Sequence, residues 1–151
     1  MTYQVPKISV NVTAVLSDGS ELDGNIFISE NLLSYTGTPR LEDFLNQQNE
    51  RFFPFHQEDG DTMLVNKHRL VYLRSSEDDH KDLEEKLMLK PQNVTVRLTN
   101  GQDMEGVVYS TLPKESLRVS DFFNQRETFL PMYADYGKLI INSDLVVWVR
   151  D

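Results

Sequence analysis

One stretch of this chain occurs twice. Residues 11–28 read NVTAVLSDGSELDGNIFI, and residues 93–110 read NVTVRLTNGQDMEGVVYS. Asn, Val, Thr, Leu and both Gly recur at a constant offset. Two more segments recur in the same order: LEDFLN at 41–46 as VSDFFN at 119–124, and MLVNKHRLVYLR at 63–74 as LIINSDLVVWVR at 139–150. A recurrence of this kind predicts one structural module used twice.

The repeat also predicts the domain organisation. A length of 151 residues by itself suggests one domain. Two modules of about 60 residues would each have a marginal core, so we expect them to pack on each other or to share a sheet. The predicted division is a first β module at 1–74, an acidic helical connector at 75–91 and a second β module at 92–151.

Both copies begin with the pattern of a β-hairpin. Apolar and polar side chains alternate over residues 10–16 and 94–98, which is typical of a half-buried strand. Asp-Gly at 18–19 and Asn-Gly at 100–101 follow at equivalent positions. These dipeptides readily adopt the positive φ angles of a tight turn. Each copy is therefore predicted to open with two antiparallel strands.

Glycine occurs inside the returning strand of both copies, as Gly24 and Gly106. Because glycine weakens a strand, its recurrence predicts a bend, a bulge or a close backbone approach. Farther along, 41–45 and 119–123 have the apolar spacing of a helical turn. RFFPF and TFLPM then contain a proline each, which predicts an edge strand or an interrupted strand.

The segment between the copies predicts a helix. Ser76 and Asp79 have the spacing of a capping box, Leu83 and Leu87 form an apolar stripe, and Pro91 marks the end. The interpretation is a surface helix of about three turns. A disordered acidic linker is the alternative.

Charge and composition exclude several classes of protein. The net charge is −9, which argues against broad electrostatic binding to nucleic acid or to an anionic membrane. The chain has no cysteine, so disulfides and thiolate metal sites are excluded. No stretch has the length and hydrophobicity of a membrane span or the apolar run of a signal peptide, so we expect a cytoplasmic protein without a membrane partner.

The segments LSDGSELDGNIFI and LVNKHRLVYL resemble the two halves of an Sm motif. The resemblance covers both copies and implies an all-β protein with short helices: two tandem Sm-like, strongly bent antiparallel small barrels joined by the connector, of a bacterial type. The chain departs from the RNA-binding members. No Asp-x-hydrophobic-Asn pattern follows 28 or 110, and the turns at 66–68 and 142–144 lack an Arg-Gly pair. The resemblance therefore implies a fold more than RNA binding.

Polar residues and tyrosines in the second part of each copy are the candidates for contact with a partner. They are Asp43, Asn46, Asp121, Asn124, Tyr133 and Tyr136. Asp and Asn also cap helical turns, and this structural interpretation is favoured for the four that recur, because a repeat preserves folding devices first.

Carboxylates also recur, on one face of each returning strand: Glu21, Asp23, Asp103 and Glu105. Paired carboxylates can perform acid–base chemistry or hold a hard cation, but they are far more often the solvated face of a hairpin. The three histidines have no metal-ligand spacing, and no nucleophile elbow, phosphate loop or zinc-helix motif occurs. We therefore expect no enzyme activity, no catalytic residue, no cofactor and no metal.

The sequence predicts a non-catalytic binding or scaffold protein that mediates protein–protein interaction. Its partner would be another protein or a second copy. Pairing of free strand edges would either join the two modules or join copies into a ring, that is, a homo-oligomer. The alternative is an Sm-like RNA-binding regulator, although the net charge disfavours nucleic acid. That alternative predicts that four cations gather on one face: Arg97, Arg118, Arg126 and Lys138.

Overall fold

A computed structural model describes residues 6–33, 37, 39–47, 49–111 and 118–151. The described elements are ten strands, three short α-helices and three single-turn 3-10 helices. The strands are β1 Lys7–Leu16, β2 Glu21–Ser29, β3 Phe52–Gln57, β4 Thr62–Asn66, β5 Leu70–Ser75, β6 Gln92–Leu98, β7 Asp103–Val108, β8 Phe129–Ala134, β9 Gly137–Asn142 and β10 Val146–Arg150. The helices are α1 Leu41–Leu45, α2 His80–Glu85 and α3 Val119–Phe123, with 3-10 turns at Glu30–Leu32, Lys67–Arg69 and Ser143–Leu145. The predicted all-β class is confirmed.

All ten strands lie in one antiparallel sheet, in the order β10-β6-β7-β8-β9-β5-β1-β2-β3-β4. We call β1–β5 the first half and β6–β10 the second half. Each half has the same internal order, with its fifth strand beside its first and its fourth strand at the far side. No pairing among the described residues closes the sheet into a barrel. The two halves share one continuous sheet, which is one of the two arrangements expected for marginal modules.

Both predicted hairpin turns are confirmed. Gly19 and Gly101 have φ angles of +93° and +87°, a region that L-residues with a side chain rarely adopt. The strands on either side pair in register, with Val15 opposite Glu21 and Arg97 opposite Asp103. Local turn chemistry therefore determines where each hairpin reverses.

The glycines inside β2 and β7 mark a close backbone approach. A Cβ atom added to Gly24 would collide with the carbonyl oxygen of His56, and one added to Gly106 would collide with that of Tyr133. The backbone of the neighbouring strand lies so close to these glycines that it occupies the space a side chain would need. Of the three structures predicted for these glycines, the close approach is confirmed.

The prolines lie in interrupted strands rather than in edge strands. β3 and β8 each have a neighbour on both sides, so the prediction of an edge strand is wrong. Pro54 pairs with Leu64 on β4, but the pairing of β3 with β2 is confined to His56 and Gln57. Pro131 lies in the same way in β8, which meets β7 only at Tyr133. A residue without an N–H fits where the strand has a ladder on one side only.

The helices follow the sequence in part. α1 and α3 confirm the two predicted helical turns. The connector helix α2 has six residues, so the prediction of three turns is wrong. Asp79 is its N-cap residue but makes no side-chain capping bond. Its carboxylate binds elsewhere, as described below. The side chains of Ser75 and Asp78 accept backbone N–H bonds from Glu77 and His80, which holds the preceding residues in turns.

Two apolar clusters form the core, one in each half. The first centres on Val10, Ile26, Phe53 and Leu73, and the second on Val96, Met104, Leu130 and Leu139. Each cluster also contains side chains from the other half of the chain. Phe129 and Ile140 belong to the first cluster, and Val15, Val71 and Tyr72 to the second. The two cores therefore interlock where the halves meet.

Candidate functional site

The halves meet where β5 of the first half pairs with β9 of the second half. We call this pairing the junction. Its antiparallel register places Tyr72 opposite Ile141, Leu73 opposite Ile140, Arg74 opposite Leu139 and Ser75 opposite Lys138. The contact is head to tail, because the fifth strand of one half meets the fourth strand of the other.

Four ionisable side chains meet beside the junction. Lys138 on β9 is fully buried and lies 3.0 Å from Glu42 Oε2 and 3.2 Å from Asp79 Oδ1. Tyr133 on β8 donates a hydrogen bond to the same Asp79 oxygen. We call Glu42, Asp79, Tyr133 and Lys138 the buried charge cluster. It connects α1, the residue before α2, and two strands of the second half.

The electrostatics of the cluster favour an ionised Asp79 and a neutral Tyr133. Burial opposes ionisation of Asp79, but attraction to Lys138 and the hydrogen bonds from Tyr133 and Lys138 outweigh it, so its pKa is lowered from 3.8. Burial, followed by the charge of Asp79, raises the pKa of Tyr133 well above 10. Tyr133 is therefore a hydrogen-bond donor at neutral pH. The ion pairs and hydrogen bonds of the cluster join Glu42 and Asp79 to Tyr133 and Lys138 of the second half.

Two asparagines also hold the junction. The Asn46 side chain donates to the carbonyl of Phe129 and accepts from its N–H, both at 2.8 Å. Asn142, which is buried, donates to the carbonyl of Leu70 at 3.0 Å. These amides satisfy backbone groups across the junction, so they fix how one half sits on the other.

Among the described strands, the two outer ones, β4 and β10, each have one neighbour. We call them the free edges. The sequence repeat aligns β4 with β9 and β10 with β5, so the free edges are the counterparts of the two strands that pair in the junction.

Apolar side chains at the free edges are exposed where their junction counterparts are buried. Leu64 is 67% exposed and its counterpart Ile140 is 0% exposed. Val147 is 58% exposed and its counterpart Val71 is 0% exposed. Phe52, which begins β3 beside this edge, is 42% exposed, whereas the residue that begins β8, Phe129, is 5% exposed. Large exposed apolar side chains at strand edges are typical of interaction surfaces.

Trp148, the one tryptophan of the chain, lies on the free edge β10. The guanidinium carbons of Arg97 and Arg150 lie 5.0 and 5.2 Å from the centre of its ring. Its junction counterpart, Tyr72, is buried in the second core cluster. An aromatic ring close to two cations is an amphipathic surface that suits contact with a protein.

The residues predicted for partner contact come together in part: Asp43, Asn46 and Tyr133 line one cavity, and the other three do not line it. Asp43 pairs with Arg40 at 2.7 Å, and Asp121 pairs with Arg118 at 3.2 Å and accepts the Arg118 backbone N–H. Asn124 is exposed at the end of α3, and Tyr136 is exposed beside Arg74. Asn46 and Tyr133 lie at the junction, as described above.

Three of the recurring carboxylates, those of Glu21, Asp23 and Asp103, contact neighbouring side chains on the solvated face. Asp103 accepts two hydrogen bonds from Arg97. This hydrogen bonding lowers the pKa of Asp103; slight burial opposes the shift, and the charge of Arg97 adds to it. Asp23 accepts a bond from Thr13 at 2.6 Å, and Glu21 lies 3.7 Å from Arg74. Among the residues that the structure describes, no group of three or more His, Cys, Asp or Glu could hold a metal ion.

The RNA-binding alternative requires four cations on one face, and one of them, Lys138, is fully buried. Lys138 is buried between two carboxylates, and Arg97 and Arg118 are each paired with an aspartate.

Sequence reasoning missed the buried charge cluster. One signal was present: Lys138 is the one charged residue of the β9 segment GKLIIN and directly precedes three apolar residues, and a buried lysine requires acidic partners.

No helix within the described ranges has the length and hydrophobicity to cross a membrane. Comparisons with family models, curated proteins and solved structures returned no match to this chain.

Proposed function

We propose that this chain is a non-catalytic binding and scaffold protein, built from two Sm-like modules, that contacts partner proteins through its free edges. The observation that carries the proposal is the exposure of Leu64 and Val147, together with the partly buried Trp148, on strands whose counterparts form an interlocked junction. An added strand would satisfy the outward backbone groups of β4 or β10 and cover these side chains.

Several features support the Sm-like assignment. Each half consists of five antiparallel strands with a short final pair, and the fifth strand lies beside the first. Each second strand contains a glycine pressed against the backbone of the third. The glycine and the short final strand pair lie in the two segments on which the resemblance rests, and both features recur in the two halves.

The charges support a protein partner over a nucleic acid. The chain carries 24 acidic and 15 basic residues. Arg97, which lies beside the free edge β10, is paired with Asp103. A nucleic-acid partner requires clustered and unpaired cations.

Affinity capture with edge variants tests this proposal. Tagged wild-type chain, Leu64→Lys, Val147→Lys and the control Met88→Lys would be purified from the native cells. Met88 is 82% exposed in the connector and belongs to neither edge strand. We expect a bound protein, either a different chain or an untagged copy, that the wild type and the control retain and that at least one edge variant loses.

Two results would contradict the proposal. One is retention of the same proteins by all four chains, which would place the binding surface elsewhere. The other is RNA that survives a moderate salt wash, which would favour the nucleic-acid alternative. The absorbance ratio of the eluate distinguishes protein from RNA.

A further inference from the structure

We infer that the partner at the free edges is a second copy of this chain, joined head to tail through β4 of one copy and β10 of the next. This inference rests on the proposed function and names its partner. The junction inside the chain is the template, because it joins the counterparts of these two strands.

The template specifies the register. In the junction, Leu73 lies opposite Ile140 and Tyr72 lies opposite Ile141. The repeat replaces these pairs by Val149 with Leu64 and Trp148 with Val65. Both edges keep the strand polarity of the template, so the new pairing is antiparallel.

The side chains also fit the template. Ile140 and Phe129 complete the core of the first half, and their counterparts Leu64 and Phe52 are exposed. In the next copy they would reach the second core cluster, where Val146 and Val149 are only partly buried. The junction counterparts of Val146 and Val149 are Leu70 and Leu73, and both are fully buried. The two edges thus lack the same contacts that the junction supplies.

Val147 and Trp148 of β10 would pack in the opposite direction, from the second half of one copy onto the first half of the next. Their counterparts Val71 and Tyr72 belong to the core cluster of the other half. At the contact between copies they would pack against the first half of the neighbour. Each edge therefore both donates and receives apolar side chains, as the two halves do at the junction.

The contact between copies would lack the buried charge cluster. Thr62 stands where the junction has Lys138, and Ser120 stands where it has Glu42. Association through the edges is therefore weaker than the junction and reversible. A head-to-tail contact uses two different surfaces, so each added copy presents a new free edge, and the assembly ends as a closed ring or continues as a filament.

The net charge of −9 opposes association of copies at low ionic strength. Salt screens this repulsion but leaves the apolar contact intact. Self-association should therefore strengthen with added salt, whereas binding to a nucleic acid would weaken.

The test uses two full-length variants, each with one edge blocked. Leu64→Lys blocks β4, and Val147→Lys blocks β10. Both positions are exposed, so both chains should fold, and circular dichroism checks this. Mass is measured by sedimentation velocity over a concentration series. The emission of Trp148 reports on the β10 edge.

We expect the wild type and Met88→Lys to exceed the mass of one chain as concentration rises, with a blue shift of Trp148 emission. Each edge variant alone should stay at the mass of one chain over the same series, with a dissociation constant raised at least about tenfold. An equimolar mixture of the two should form a dimer, because each variant retains the edge that the other has lost.

Three results would overturn the inference. The wild type could keep the mass of one chain throughout, or one edge variant could self-associate like the wild type, or the mixture could remain monomeric although the wild type assembles. A different protein captured at an edge by a monomeric chain would overturn this inference while leaving the proposed function standing. Loss of edge-dependent capture and of self-association together would overturn both.

Discussion

Strands β9 and β4 occupy equivalent places in the two halves, yet their surroundings are opposite. β9 pairs with β5, every residue from Lys138 to Asn142 is buried, and two ion pairs lie at its start. In the part of the chain that the structure describes, β4 pairs only with β3, and of its five residues Val65 alone is buried. The comparison teaches that similar strands become core or surface according to whether a partner strand is present.

Removal of the lysine from the junction should have the largest effect. We expect Lys138→Met to lower the free energy of unfolding by about 3–5 kcal/mol, because two buried carboxylates would lose their cation. Thr62→Met, at the matching position of β4, should change it by less than about 0.5 kcal/mol. Urea unfolding of dilute protein measures both. Equal effects at the two positions would mean that the cluster does not stabilise the junction.

An apolar truncation should show the same contrast. We expect Ile140→Ala to lower the free energy of unfolding by about 2–5 kcal/mol, because it leaves a cavity where the two halves pack. Leu64→Ala removes an exposed side chain, so a dilute sample should change by less than about 0.5 kcal/mol. Thermal and urea unfolding measure the pair. A large loss in dilute Leu64→Ala would show that β4 is already covered in the single chain.

The pH dependence of stability should sharpen the role of Asp79. Its pKa is lowered from 3.8 in the folded protein, so its stabilising contribution is complete above 3.8 and is lost as pH falls through the folded-state pKa. In Asp79→Asn this part of the acid dependence should disappear, so the stability difference between the two proteins should shrink as pH falls below 3.8. Urea unfolding across this range measures the difference. A constant difference would contradict a paired, ionised Asp79.

The smallest effect should come from a change that makes a free edge resemble the junction. Arg97 is the repeat counterpart of Val15, which belongs to the core cluster across the junction. Arg97→Val should therefore strengthen association of copies by about 1 kcal/mol, an estimate for a modest gain in buried apolar surface. Sedimentation at several concentrations measures the change. Weaker association would show that the cation–π contact of Arg97 with Trp148 matters more than apolar burial.

Local sequence determined much of the fold. The tight turns need positive φ angles, which Gly19 and Gly101 adopt readily, and the alternation before them indicated strands, so both hairpins could be predicted. The close approach at Gly24 and Gly106 was one of three structures that their recurrence allowed. The hairpins depend on neighbours a few residues apart, so residue type and spacing carry their signal. The close approach involves His56 and Tyr133, which are distant in the chain, so the sequence left it as one of three alternatives.

The sequence by itself determined an all-β chain with two recurring hairpins, two helical turns and an acidic surface. Only the tertiary structure decided that β5 pairs with β9, that Lys138 meets Glu42 and Asp79, and that β4 and β10 are left open. The reason is physical. Strand pairing and ion pairing join residues that are far apart in the chain, and equivalent strands such as β4 and β9 carry similar patterns, so only the partner that each one meets distinguishes core from edge.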